Sequence, residues 1–429
     1  MRVLLAQRLP WLPGVVGASK FNVHLLEALA AKHDCRMLAL ASQREGDGAL
    51  DELRREAQAR GIAHVRSSPD AAIHVRAGVE FHAAPDGRRL WNLLAAEIHD
   101  FDPDSILISE DRTFLGLATA IEEAGPGRVT YIAHSQSTLP FGPESFAADA
   151  AKTVVLRRVA GILVTSNYMR EYVRRWSGLH AELIAVPAYG PDPFPNLAKP
   201  SSGFVTIINP SAIKGISIFA EMARMRPNLG FAAVATWATT AADRERLLRL
   251  PNVRLLPPAD DIDTILTQTR VLVVPSLWGE AFGRVVVEAM LRAIPVLASN
   301  CGGLAEAKLG VDYLLPVRPI ERYLGEVDDN AIPVPVVPPQ DIAPWLEALD
   351  RLCGSRGHYL EIAAASREAA LNYVSKLSTS SLEAILAKRA AFRRDARAGH
   401  APIVRSNLSA ERLELLAALV NPMRPPEET

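Results

Sequence analysis

Short apolar runs alternate with amphipathic stretches over the first 190 residues, a pattern that predicts a doubly wound parallel sheet. The strands it predicts are Val3 to Ala6, Cys35 to Leu40, Ser105 to Ile108, Val129 to Ala133, Gly161 to Val164 and Leu183 to Val186. Between the first two, Phe21, Leu25, Leu26 and Leu29 share a face at helical spacing, so Ser19 to Lys32 reads as a helix with Ser19 as its N-cap. From Leu183 the chain runs LIAVPAYGPDPFPNLAKPSSG, dense in proline and glycine, which reads as a linker. The alternation then resumes with FVTIINPSAIKGISIFAEMA, a strand, a turn and a helix, and continues through FAAVAT and VRLLPPADDIDTILTQ.

The most sharply patterned stretch is Val271 to Gly303, VLVVPSLWGEAFGRVVVEAMLRAIPVLASNCGG. Val271 to Pro275 and Ile294 to Ala298 are β-branched runs of strand length, and pairing them in parallel needs a helical crossover, which Gly283 to Arg292 supplies. Val285, Val286 and Val287 are indifferent helix formers, so burial against the sheet is expected to override propensity there. After Gly310 come a polar insertion and the extended run IPVPVVPPQ, then helices from an N-cap at Asp341 to about Phe392, of which Val374 to Phe392 is expected to brace the hinge. The end differs: Lys388 to Arg405 is basic and poorly patterned, and SAERLELLAALV reads as a short amphipathic helix with Leu413, Leu416 and Val420 on one side. The organisation predicted is α/β, with a Rossmann-like domain over 1–190, a second over 191–372, and a crossing helix and tail over 373–429.

Composition narrows the classes. With 429 residues and 49% hydrophobic side chains the chain is long enough for two cores, and a formal net charge of -1 gives no electrostatic reason to expect nucleic acid or an anionic membrane as partner. Cys35, Cys301 and Cys353 are too few and too scattered for a disulfide framework or a CxxC metal site, which suits a reducing cytoplasm. The amino terminus reads as a first strand rather than a signal peptide, and no eighteen-residue apolar run offers a membrane span. No metal-ligand cluster and no resident cofactor are expected; Asp102-Pro103-Asp104 reads as loop.

Candidate chemistry gathers at predicted strand ends. A helix opening at Gly283 leaves the N–H groups of Gly283, Arg284 and Val285 without intrahelical partners at the positive end of the dipole, a seat for an anion. Glu280 and Glu288 flank it; helix capping and solvent contact are the alternatives to a ligand role. Lys214 and Gly215 form the turn after another strand, placing a cation at a second helix start. His134 ends the strand VTYIA, where open α/β sheets bind ligands, and Glu110 and Asp111 end the neighbouring one; packing or water contact is the alternative for each. The loop Pro10 to Lys20 lacks GxGxxG spacing, and Trp237 is expected in the core.

The Glu280 to Glu288 spacing, the GEAFG turn, the following EAM and the run PVLASNCGGLAE resemble family four of the retaining glycosyltransferases. That resemblance spans roughly residues 1 to 390 and implies the GT-B arrangement, two facing Rossmann-like domains with the reaction in the cleft. It implies transfer of a sugar from a nucleotide diphosphate sugar to an acceptor, with no divalent metal and with the donor as co-substrate. By the resemblance Glu280 touches the donor sugar, Glu288 holds the ribose, the backbone of Ala281, Phe282, Gly283, Arg284 and Val285 binds the diphosphate, Lys214 contacts the same diphosphate, His134 lies near the sugar and Gly17 faces the cleft. The loop Leu256 to Asp261 falls where relatives hold the base. The family usually carries an arginine where this chain has Asn209, so Arg284 is expected to supply the replacement cation. A soluble acceptor, a specialised metabolite among the candidates, is expected rather than a membrane one, and residues 394–429 are candidates for self-association. A nucleotide-sugar epimerase on the same fold and a non-catalytic homologue that binds a partner are the alternatives.

Overall fold

The computed structural model describes residues 1–398 except 15, 47, 110, 111 and 191, with the backbone alone over 391–398. Glu110, Asp111 and the predicted tail helix around Leu413 therefore lie outside the described residues.

The first domain's strands are β1 (Arg2–Gln7), β2 (Asp34–Leu40), β3 (Ala63–Ser67), β4 (Ala72–Arg76), β5 (Val79–Ala84), β6 (Ser105–Ser109), β7 (Val129–Ala133), β8 (Gly161–Val164) and β9 (Ala181–Leu183). Among the described residues they form one sheet in the order β3-β4-β5-β2-β1-β6-β7-β8-β9. From β5 to β9 every pairing is parallel, whereas β3 to β4 and β4 to β5 are antiparallel. The sequence pattern does not reveal β3 to β5 because β3 is exposed along its length and β4 carries a histidine among its apolar residues. The β1 run Val3 to Ala6 is wholly buried, as a central strand covered on both faces must be.

Two local expectations are corrected. The helix after β1 is Gly17–Leu29, with Val16 at its N-cap and Ser19 inside. The Ser19 hydroxyl is buried and donates instead to the Pro10 carbonyl at 2.6 Å, because the proline loop folds back onto it. The strand expected at Leu183 to Val186 is β9, ending at Leu183; Ile184, Val186 and Ala188 follow as extended chain buried in the first core.

The second domain contains β10 (Phe204–Ile208), β11 (Phe231–Val234), β12 (Val253–Leu256), β13 (Thr269–Val274), β14 (Val296–Ser299) and β15 (Leu314–Leu315). Its described sheet runs β12-β11-β10-β13-β14-β15, parallel throughout. The crossover between β13 and β14 is the helix Arg284–Leu291, with Gly283 at the N-cap in the left-handed region, φ 95°. Val286 and Val287 are fully buried beneath it, which is why three consecutive valines remain helical. The polar insertion folds as a hairpin of β16 (Tyr323–Val327) and β17 (Pro333–Pro335).

The chain changes domain between Ala188, packed in the first core, and Phe194, packed in the second. It returns through the helices Arg356–Val374, set against the second core, and Ser380–Ala398, whose Leu382 and Leu386 are buried in the first. Both strand-end faces turn toward the cleft so made.

Candidate functional site

A cavity of about 300 Å³ lies between the domains. Gly17, His134, Asn209, Lys214, Glu280, Ala281, Phe282, Gly283, Arg284 and Glu288 all line it, so residues up to 271 positions apart in sequence share one wall. None of the ten lies elsewhere.

Lys214 sits in the turn after β10 and Glu280 in the loop after β13, strands that pair in the sheet. Lys214 Nζ lies 2.5 Å from Glu280 Oε1, and the same oxygen accepts from Ser276 Oγ at 2.5 Å and from Trp278 Nε1 at 3.1 Å. Burial alone would push the Glu280 carboxyl up, but Lys214, Ser276 and Trp278 outweigh it and hold it below the ordinary carboxylate range. With three donors on Oε1, Oε2 is the oxygen open to a ligand. The main chain of Glu280 is fixed from beneath: its carbonyl accepts the Gly303 N–H at 2.7 Å, and a Cβ on Gly302 would come within 2.4 Å of Glu280 N. The glycine pair in SNCGG is thus the floor of the Glu280 loop.

Asn209 adopts a left-handed backbone, φ 63°, and its Oδ1 accepts from Ala238 N at 3.0 Å and Thr239 Oγ1 at 3.3 Å. Its Nδ2 is buried with no hydrogen-bond partner among the described residues, and the residue lines the cavity. Arg284 spans the cleft: it donates to the carbonyls of Gly17, at 3.0 Å, and Ala188, and lies 3.4 Å from Glu288 Oε1. Its guanidinium is therefore shared between domain closure and the cavity wall.

His134 Nε2 is 2.8 Å from Asn22 Oδ1. Asn22 Nδ2 is spent on Gln7 and Ser109, so the network assigns the proton to Nε2 and leaves Nδ1 as an acceptor. Crowding by both walls, then the Arg284 charge, lowers its pKa to about 3. The ring is neutral at ordinary pH.

Several lining residues carry no signal in sequence. Lys20, from the helix after β1, donates to the Asp260 carbonyl in the second domain, inside the loop Leu256 to Asp261; burial lowers its pKa against the pull of Glu288 and Asp260. Pro258 and Ala259 of that loop also line the cavity. Ala18, Phe21 and Thr165 also line it from the first domain. Trp237, expected in the core, is 37% exposed and lines the cavity, because β11 ends three residues earlier and its loop turns into the cleft. Among the described residues no three His, Cys, Asp or Glu side chains converge as a metal site, and no helix is long and apolar enough to cross a membrane.

Comparison with known proteins agrees with this geometry at the level of family and fold. Residues 16–190 match the family model described as glycosyl transferase 4-like domain, and residues 200–353 match that described as glycosyl transferases group 1. A curated relative, an uncharacterized 42.6 kDa protein in the cps region of Klebsiella pneumoniae, is 32% identical over 126 residues, 29% of this chain and 31% of that protein. The match thus spans about a third of the relative's length. Sucrose-phosphate synthase from Thermosynechococcus elongatus superposes with a TM-score of 0.60 at 17% identity, over 93% of this chain and all of that one. Anabaena HepE in complex with UDP-glucose gives 0.60 at 16%, over 92% of this chain and all of that one. TarM of S. aureus, in complex with UDP and a GlcNAc-glycerol, gives 0.59 at 11%, over 91% and 99%. At such identities the likeness is one of fold, the two-domain GT-B arrangement.

Proposed function

We propose that the chain, a glycosyltransferase of the GT-B fold, moves a hexosyl group from a nucleotide diphosphate sugar to a soluble small-molecule acceptor, with retention at the anomeric carbon. The observation that carries this reading is the interdomain cavity where the buried Lys214–Glu280 pair stands beside the helix start at Gly283. UDP is the nucleotide to try first, because the HepE and TarM structures contain it.

The chemical burden is departure of the diphosphate, which gains negative charge as the bond from the anomeric carbon to the phosphate oxygen breaks. Lys214, the Asn209 amide, the N–H groups at the helix start and Arg284, all from residues of the cavity wall, hold that charge in this reading, so protein donors serve where a metal ion would otherwise be needed. Glu280 Oε2 accepts from a sugar hydroxyl and Glu288 from the ribose. The acceptor oxygen attacks from the face the leaving group vacates, forming the new bond to the anomeric carbon, and its proton passes to the departing phosphate oxygen. A double displacement would need a nucleophilic carboxylate. Among the described residues the carboxylates on the cavity wall, Glu280 and Glu288, are each engaged by a cation, which favours the single-site route.

Thermal stabilisation against a panel of nucleotides tests the reading, since a ligand at one hundred times its dissociation constant adds about 2.7 kcal/mol. UDP or another nucleoside diphosphate is expected to raise the midpoint, and NMR of the product to show the donor's anomeric configuration. A chain that responds to no nucleotide contradicts the reading, and an inverted product contradicts the retaining step alone.

A further inference from the structure

The first domain grips the peptide next to Glu280. Glu144, in the loop that follows β7, accepts the Gly279 N–H on Oε2 at 2.8 Å and the Tyr168 hydroxyl on Oε1 at 2.7 Å. Gln136, fully buried, donates one amide hydrogen to Glu144 Oε2 at 2.8 Å and the other to the Gly279 carbonyl. Both main-chain groups of Gly279 are therefore held by side chains of the opposite domain. The approach requires glycine, since a Cβ there would run into the Tyr168 hydroxyl and come within 2.7 Å of Glu144 Oε2.

Neighbouring contacts point the same way. Ser166 Oγ donates to the Ala281 carbonyl, and Glu306 accepts the backbone N–H groups of Asn167 at 2.8 Å and Tyr168 at 2.7 Å, capping the helix Asn167–Ser177 from across the cleft. The side chain of Glu280 is thus oriented by second-domain partners, Lys214, Ser276 and Trp278, while the main chain before it is fixed by the first. Were the domains to part, the Gly279 N–H and carbonyl would lose these partners together, and the loop from Ser276 to Glu280 would be released at that end.

We propose that Glu144 is a positioning residue for sugar transfer, fixing the Gly279–Glu280 peptide only when the domains meet, so that the donor-sugar contact is completed by closure. The proposal rests on the donor reading of the cavity. Glu144 touches no reacting atom; it acts through Gly279 and Glu280. A loop one peptide out of place costs rate more than nucleotide affinity, because the base is assigned to the loop Leu256 to Asp261 and the cation Lys214 is carried by the turn after β10, both outside Ser276 to Glu280.

Three variants test it: Glu144→Ala, Glu144→Gln, whose amide oxygen still accepts the Gly279 N–H, and Gly279→Ala, which disturbs the same contact from its other side. Glu144→Ala is expected to lower kcat on the order of a hundredfold, the scale of a misplaced catalytic contact. UDP affinity should fall by a clearly smaller factor than kcat. Amide exchange at Gly279 should quicken, Glu144→Gln should recover most of kcat, and Gly279→Ala should fall with Glu144→Ala. Wild-type kcat and unchanged exchange in Glu144→Ala overturn the positioning role. So does a loss shared equally by kcat, UDP affinity and melting temperature without rescue by Glu144→Gln, which marks damage to the fold. A wild-type chain that binds no nucleotide defeats the donor reading itself, an outcome distinct from an active wild type beside an equally active Glu144→Ala.

Discussion

Lys214 Nζ and Glu280 Oε1 lie 2.5 Å apart with only 16% and 13% of their side chains exposed, joining the turns that follow two paired strands of one sheet. Neither charge is well solvated, so each depends on the other and on the neutral donors Ser276 and Trp278. A ligand phosphate entering beside Lys214 would meet a cation already oriented.

Replacing that cation should therefore separate into two effects. Lys214→Met removes a preorganised donor and is expected to cost about 10²- to 10³-fold in kcat. It also leaves Glu280 buried without its counter-charge, lowering stability by about 3–5 kcal/mol. The double variant Lys214→Met with Glu280→Gln should regain much of the stability and none of the rate, which denaturant melts and turnover assays distinguish.

Arg284 gives a second test. Its guanidinium reaches the carbonyls of Gly17 and Ala188 as well as Glu288. Arg284→Ala is expected to weaken UDP binding by about 1.5–3 kcal/mol, the scale of a hydrogen bond to a charged group. Calorimetric titration checks it; donor affinity and turnover both at wild-type level would rule out a phosphate contact at this position.

His134 sets a pH dependence. Its pKa falls from the ordinary 6.5 to about 3, so between those values the unfolded chain holds a proton that the folded chain lacks. Stability should accordingly drop as pH is lowered from about 6.5 toward 3, by a few kcal/mol in all. Urea melts at pH 4 and 7 should show a smaller difference in His134→Asn than in the wild type. The kcat profile between pH 6 and 7 should carry no inflection from this ring.

Lys308 gives the opposite end of the scale. It is 1% exposed, with Nζ donating to the Val296 carbonyl at 2.8 Å, and burial lowers its pKa to about 7. Between pH 7 and 10.5 the unfolded chain carries a proton the folded chain has released, so stability should rise with pH through that window. Lys308→Met should flatten the rise and stabilise the protein near pH 7 by a few kcal/mol, as denaturant melts across that range would show.

The alternation of apolar runs was enough to predict two α/β domains, because strands buried on both faces must be apolar throughout and their crossovers must be amphipathic. The Glu280 to Glu288 stretch was legible for a related reason: a strand, a glycine turn and a helix start are local features, and so is the anion seat they make. The edge strand β3 was not, since an exposed edge has no hydrophobic pattern to show, and neither was β4, whose apolar run is broken by His74. Ser19 was misread as a cap because only the folded proline loop reveals its partner, and Trp237 as core because hydrophobicity does not say which side of a strand end faces a cleft.

What the sequence determined by itself was part of the cavity wall, the strand-end and helix-start groups His134, Asn209, Lys214, Glu280, Arg284 and Glu288. Only the tertiary structure decided which face one another: that Lys214 meets Glu280, that Arg284 reaches back to Gly17, that Lys20 crosses to Asp260, and that Glu144 holds Gly279. These pairs join segments whose separation carries no periodic signal. Their distances follow from how two sheets, each ordered by its own core, come to lie against one another.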